Sequence, residues 1–165
     1  MSPRNLAVCV FVLGYVMFAV YVSVATASLP DRLATHFTAD GVANGWSSRA
    51  SFRTFALLFG LGFPLFIVPL MWAVRFFPGG LNLPNRDRWI APDQRAATYE
   101  YLLAHAWRLA CIQLGLVAML NTLLIQANRQ QQPFLQPGIT LVVTLIFLVA
   151  VVVWIVALIL RFSRK

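Results

Sequence analysis

Residues 138–160 read GITLVVTLIFLVAVVVWIVALIL, with no charged side chain and only Thr140 and Thr144 carrying polar ones. A helix needs roughly 20 apolar residues to cross the hydrocarbon core of a bilayer, and this run exceeds that length. Three more uncharged, mainly apolar runs occupy about 6–27, 54–74 and 109–128. A backbone in lipid must satisfy its own hydrogen bonds, and no run shows the short alternation of a membrane barrel, so each run is predicted to be helical. The expected fold is all-α: an integral membrane bundle of four transmembrane helices in one domain, 1–165. A compact external loop, 28–53, and a cytoplasmic loop, 76–104, complete it. A chain with 60% hydrophobic and 11% charged residues is far from a soluble domain, in which about a quarter of residues are charged.

Ala25-Thr26-Ala27 before Ser28 resembles a signal-peptidase site. The uncharged run before it is longer than the roughly 7–15 residues of a signal peptide, so a retained first span is expected.

Charge distribution orients the bundle. With four spans, Arg4, Arg75, Arg86, Arg88, Arg95, Arg108, Arg161, Arg164 and Lys165 share one side, against Arg32, Arg49, Arg53 and Arg129 on the other. By the positive-inside rule both termini are expected in the cytoplasm of a cell whose inner (plasma) membrane holds the protein. The net charge of +8 is then a basic rim that attracts anionic lipid. No compact basic domain suited to nucleic acid is evident, and the bilayer is the expected partner. Cys9 and Cys111 lack the spacing of a disulfide or metal pair, and no cofactor or metal is expected.

Within the spans, Gln113, Asn121 and Gln126 carry amides that need partners in lipid, which predicts interhelical hydrogen bonding by the third helix. The fourth helix can face lipid broadly. Pro64, with Gly60 four residues earlier, predicts a kink in the second helix, because the ring removes the hydrogen bond to residue 60. His105 and Arg108 are spaced to share a helix face as a polar collar at headgroup depth.

The first loop, LPDRLATHFTADGVANGWSSR at residues 29–49, is patterned. Asp40-Gly41 and Asn44-Gly45 are both turn dipeptides. Two turns would fold the segment back and gather Leu33, Phe37, Val42 and Trp46 into an apolar cluster. His36 and Asp40 are the loop's one plausible chemical pair, since imidazole and carboxylate can share a proton or a metal. A catalytic zinc needs about three protein ligands, however, and only Asp31 could add to them. A structural His36 bonded to loop backbone is preferred, and no catalytic residue is assigned.

The second loop contains GGLNLPNRDRWIAPD at residues 79–93. Gly79-Gly80 and Pro84-Asn85 are turn signals, and a helix is expected to open near Pro92. His36, Asp40, Trp46, Asn85, Asp87 and Trp89 are the ligand-binding candidates.

Leu29-Pro30, His36-Phe37, Asp40-Gly41, Asn44-Gly45-Trp46 and residues 81–92 together resemble a bacterial family of small membrane proteins built on a domain of unknown function. That domain also occurs in SdpI-type immunity proteins, which protect a cell from a secreted killing factor and signal its presence. The resemblance covers both loops and the first three spans; the fourth matches only as a hydrophobic helix. It implies a non-enzymatic binding, sensing or immunity-type role, whose partner is an external peptide or another membrane protein. Two alternatives stand beside it: an accessory subunit of a larger membrane complex, and a His-dependent membrane enzyme.

Overall fold

The computed structural model describes residues 1–80 and 82–163; Leu81 of the second-loop motif and the basic Arg164 and Lys165 lie outside the described residues. Four helical segments are long and apolar enough to span a membrane: Pro3–Ala27, Arg49–Phe76, Arg95–Ala127 and Pro137–Ser163. The chain is therefore a multi-pass helical membrane protein, as the apolar runs predict.

Helix α1 (Pro3–Ala27) starts where Ser2 Oγ accepts from Asn5 N at 3.2 Å, with proline at the first helical position. A hairpin follows, β1 (Arg32–Phe37) and β2 (Ala43–Ser48), paired antiparallel as the molecule's one sheet among the described residues. Helix α2 (Arg49–Leu65) is capped by Ser48, whose Oγ accepts from Ser51 N at 3.0 Å. The break predicted near Pro64 falls at Phe66, after which α3 (Ile67–Ala73) continues into a 3-10 turn, Val74–Phe76. Pro64 and Pro69 remove the amide donors to residues 60 and 65, so the helix is weakened on both sides of that point. A second 3-10 turn, Pro78–Gly80, and the short α4 (Arg86–Trp89) lead to α5 (Arg95–Ala127). The predicted helix opening near Pro92 lies three residues later, at Arg95. Helix α6 (Pro137–Ser163) completes the chain.

Helix α5 is the hub: α1, α2, α3 and α6 all pack on it. At 33 residues it is about 50 Å long, well beyond the thickness of a hydrocarbon core, so its first turns project from the membrane and meet the second loop. The central core joins Phe11, Phe18 and Val22 of α1 to Ala56 of α2 and Ala110, Leu114 and Val117 of α5. Lipid gives little hydrophobic drive to helix association, so close approach between small residues matters. Gly60 is one such point, since a Cβ there would collide with the Phe18 ring.

Two further clusters close the ends. Ala25, Leu29, Leu33, Phe52 and Ile125 pack beneath the hairpin, whereas Trp89, Leu102 and Phe162 pack at the opposite end. Helix α6 touches α5 and buries only Phe162, which agrees with the broad lipid exposure expected of it.

The polar contacts inside the bundle differ from expectation. Asn121 Nδ2 donates to Val117 O of its own helix at 2.9 Å, Gln113 Oε1 is buried without a partner among the described residues, and Gln126 is exposed. Aromatic side chains supply interhelical bonds where those amides do not. His105 Nε2 donates to Trp154 O at 3.0 Å while Trp154 Nε1 donates to His105 O at 2.9 Å, with the rings stacked at 4.4 Å. His105 is thus a buried tie between α5 and α6; Arg108 alone is exposed, so the expected collar of the two does not form.

Candidate functional site

The hairpin is fastened at its root by Arg49. Its guanidinium donates to Ala27 O at 2.8 Å and Leu29 O at 2.7 Å, satisfying carbonyls at the end of α1, and pairs with Asp31 at 2.6 Å. A cation at a helix C-terminus also suits the helix dipole. Along β1 the side-chain amide of Asn128 acts as a substitute strand: Oδ1 accepts from Ala34 N at 2.7 Å, and Nδ2 donates to Ala34 O at 2.9 Å. Leu33 and Ala34 are fully buried by this docking.

The hairpin turn lies at residues 38–42. Thr38 N donates to Val42 O at 2.8 Å, Gly41 N donates to Thr38 O at 2.9 Å, and Gly41 has φ +84°. A Cβ at Gly41 would also strike Leu135 O, and Leu135 N donates to Gly41 O at 3.0 Å, so the turn is stitched to the connection between α5 and α6. The second expected turn does not form. Asn44-Gly45 lies within β2, and Gly45 is required because its Cβ would fall 2.7 Å from that of His36 across an irregular stretch of the ladder. The predicted apolar cluster is likewise split: Leu33 faces the core, while Val42 and Trp46 are exposed, Trp46 lying 5.9 Å beneath the Arg32 guanidinium.

The six candidate residues fall at two ends of the molecule. His36, Asp40 and Trp46 are on the hairpin. His36 Nδ1 bonds to Asn44 Oδ1 across the strands, so its partner is a side chain, and Asp40 sits exposed in the turn. At the other end Asn85 adopts the left-handed conformation, φ 54°, in accord with the turn signal there. Its Nδ2 and Trp89 Nε1 donate to Phe162 O at 3.4 and 3.1 Å, closing the end of α6. Trp89 is 5% exposed, meets Phe162 edge-on, and lies between the guanidinium groups of Arg88 and Arg161 at 5.1 and 5.0 Å. Asn85 and Trp89 are therefore engaged in holding the loop, whereas Asp87 is exposed and, among the described residues, pairs only with its neighbour Arg86 at 3.1 Å. No group of three metal-ligating side chains occurs among the described residues.

Besides a cavity of about 360 Å³ lined by His36, Phe37 and the turn together with Leu135 and Pro137, two cavities flank the hairpin. One, of about 410 Å³, lies between the hairpin, α2 and α5, with Thr35, Ser47 and Ser51 at the hairpin end, phenyl rings of α2 along one wall and Asn121 of α5 in the other. The other, of about 560 Å³, lies beside the start of β2 and is lined by Val42, Ala43, Trp46 and residues 131–134. Arg49, Asn128 and the hydroxyls of the first cavity were not among the predicted site residues. Asn128 gave one signal, as the amide at which the third apolar run stops.

This is a class of protein defined by four membrane-spanning helices with a pinned β-hairpin at one end. The family model described as a domain of unknown function (DUF1648) matches residues 8–61, which take in most of α1, the whole hairpin and the first part of α2. No curated protein and no solved structure matches the chain.

Proposed function

We propose a non-enzymatic binding or sensing protein of the plasma membrane, with both termini in the cytoplasm and the hairpin outside. The nine-to-four distribution of basic residues supports this orientation. Asn85 and Trp89 on Phe162, together with the 2.8 Å Arg4–Glu100 ion pair, support a common side for the chain start, the second loop and the end of α6. The observation that carries the binding role is the asymmetry of the hairpin edges. The outer edge of β1 is filled at Ala34 by Asn128, whereas among the described residues the outer edge of β2 is bridged only before its start, where Val42 pairs with Phe134. A rigid, unfilled strand edge beside a cavity containing Trp46 suits an extended peptide segment, with backbone hydrogen bonds supplying affinity and the cavity supplying side-chain selection. The immunity-type role of the SdpI-type proteins fits such a partner.

Two measurements test this. In a version lacking Cys9 and Cys111, Ala39→Cys should react with a membrane-impermeant thiol reagent in intact cells and Arg86→Cys should not; the reverse would overturn the orientation. A photoreactive phenylalanine at position 46 should give a discrete peptide adduct absent when the same group replaces Asp87, and no adduct specific to position 46 would sink the peptide reading.

A second reading, an accessory subunit of a membrane complex, is favoured by α6, whose apolar length is left uncovered by the rest of the chain. A photoreactive group at Val149, which is 62% exposed, would then capture a stoichiometric membrane protein and not lipid alone.

A further inference from the structure

The cavity between the hairpin, α2 and α5 is open to lipid through its phenyl wall, since Phe55 and Phe59 are 65% and 42% exposed. Phe52, Phe55 and Phe59 lie at helical spacing on one face of α2 and extend about 10 Å down from the hairpin. Val117, Leu120 and Leu124 of α5 face them. The two ends of this apolar slot differ. Near the hairpin, Ser48 Oγ donates to Ser51 Oγ at 2.9 Å, leaving the Ser51 hydroxyl proton to donate, while Ser47 Oγ donates to Ser48 O at 3.3 Å and can still accept. Deeper in the slot stands Asn121, six residues and about 9 Å before the end of α5.

Asn121 is 8% exposed, yet its Nδ2 is spent on Val117 O and no donor among the described residues reaches its Oδ1. That oxygen opens onto the slot, and a carbonyl without a donor is costly where no water can replace one, so an acceptor at this depth calls for a donor brought by whatever fills the slot. We infer that the cleft binds a single-chain amphiphile dissolved in the membrane, whose hydroxyl or amide N–H donates to Asn121 Oδ1 while its chain lies along the phenyl wall. A saturated hydrocarbon chain lacks the donor, and a fully charged headgroup does not suit the apolar depth. The hydroxyls of Ser47 and Ser51 offer a second polar position at the mouth for the other end of such a molecule. This cleft is distinct from the proposed peptide surface: Ser47 and Trp46 are adjacent in β2 and point to opposite faces of the hairpin.

The test uses the full chain in phosphatidylcholine vesicles with hexadecan-1-ol carrying a mid-chain diazirine, compared with its methyl ether, which keeps the shape and loses the donor. After illumination, digestion and mass spectrometry, the alcohol should label residues 52–59 and 117–124 about threefold more than the ether, the size of one modest hydrogen bond in a membrane. Asn121→Leu should bring that ratio to about one. Leu120→Trp, which fills the slot without touching the amide, should lower labelling there by both probes while circular dichroism shows unchanged helix. Equal labelling by alcohol and ether in the native protein, a preserved ratio in Asn121→Leu, or labelling of the cleft no greater than that of residues 145–156 on α6 would each overturn the inference. None of these outcomes depends on whether position 46 captures a peptide.

Discussion

The two ends of this bundle are fastened by different chemistry. At the hairpin end the ties are directional hydrogen bonds from Asn128 and Arg49 to backbone groups. At the opposite end a tryptophan fills the space, edge-on to Phe162 and flanked by two guanidinium groups. The difference has a consequence for availability. Asn128 and Arg49 bind main chain, so apart from the buried Leu33 and Ala34 the hairpin side chains remain outward or toward the cavities, whereas the second loop spends Asn85 and Trp89 on its own anchorage. Asp40 and Trp46 at the hairpin end are thus free of the anchoring contacts that engage Asn85 and Trp89.

The largest effect is expected from breaking the packed end. Trp89→Ala removes a buried ring, its contacts with Phe162 and Arg161, and a donor to Phe162 O, and should destabilise the protein by about 3–5 kcal/mol. Unfolding in detergent would measure this, with residues 82–94 becoming protease-sensitive while the hairpin stays protected. Equal loss of protection at both ends would mean that the two fastenings are one cooperative unit.

At the hairpin end, Asn128→Leu keeps an apolar volume near α5 but leaves Ala34 N–H and C=O without their partners. Each buried orphan costs roughly 1–3 kcal/mol, so a total of about 2–6 kcal/mol is expected. Asn128→Asp should be milder at acid pH, where the protonated carboxyl can accept from Ala34 N and donate to Ala34 O, than at neutral pH, where a buried carboxylate would face that carbonyl. If Leu were no more harmful than the protonated Asp, the directional account of this end would fail. Protection of hairpin amides from hydrogen exchange is the appropriate readout.

The turn is next. Gly41→Val places a β-branched residue at φ +84° and against Leu135 O, and should cost about 1–3 kcal/mol, read by the same exchange experiment. Gly45→Val should be harmful for another reason, the contact with His36, and Gly45→Ala should already show most of that effect.

These two glycines show how far the sequence could be read. The spans were legible because length and the absence of charge suffice to specify a helix in lipid. The turn at Asp40-Gly41 was legible because a positive φ has a local signature. Asn44-Gly45 carried the same signature and lies in a strand, since what its glycine accommodates is a neighbour on β1. The strands were obscure for a related reason: Ala43 to Ser48 contains one large apolar residue, Trp46, and no alternation to reveal a buried face. Asn128 with Ala34 and His105 with Trp154 join residues 94 and 49 positions apart, and a single sequence has no local term for either.

The smallest expected effect bears most directly on what the hairpin is for. His36 is exposed and bonds to Asn44, so His36→Gln should change stability by no more than about 0.5 kcal/mol, since an amide can keep a hydrogen bond to Asn44 and surface substitutions commonly fall in that range. The same substitution cannot shuttle a proton and is a poor substitute for imidazole as a metal ligand. Adduct formation at position 46 should therefore survive it if the hairpin acts as a strand edge. If His36→Gln left the protein folded with its hairpin amides protected and yet abolished that capture, imidazole chemistry would be required. The free edge of β2 would then no longer suffice to explain recognition, and the contrast between an available hairpin and a spent second loop would rest on His36 itself.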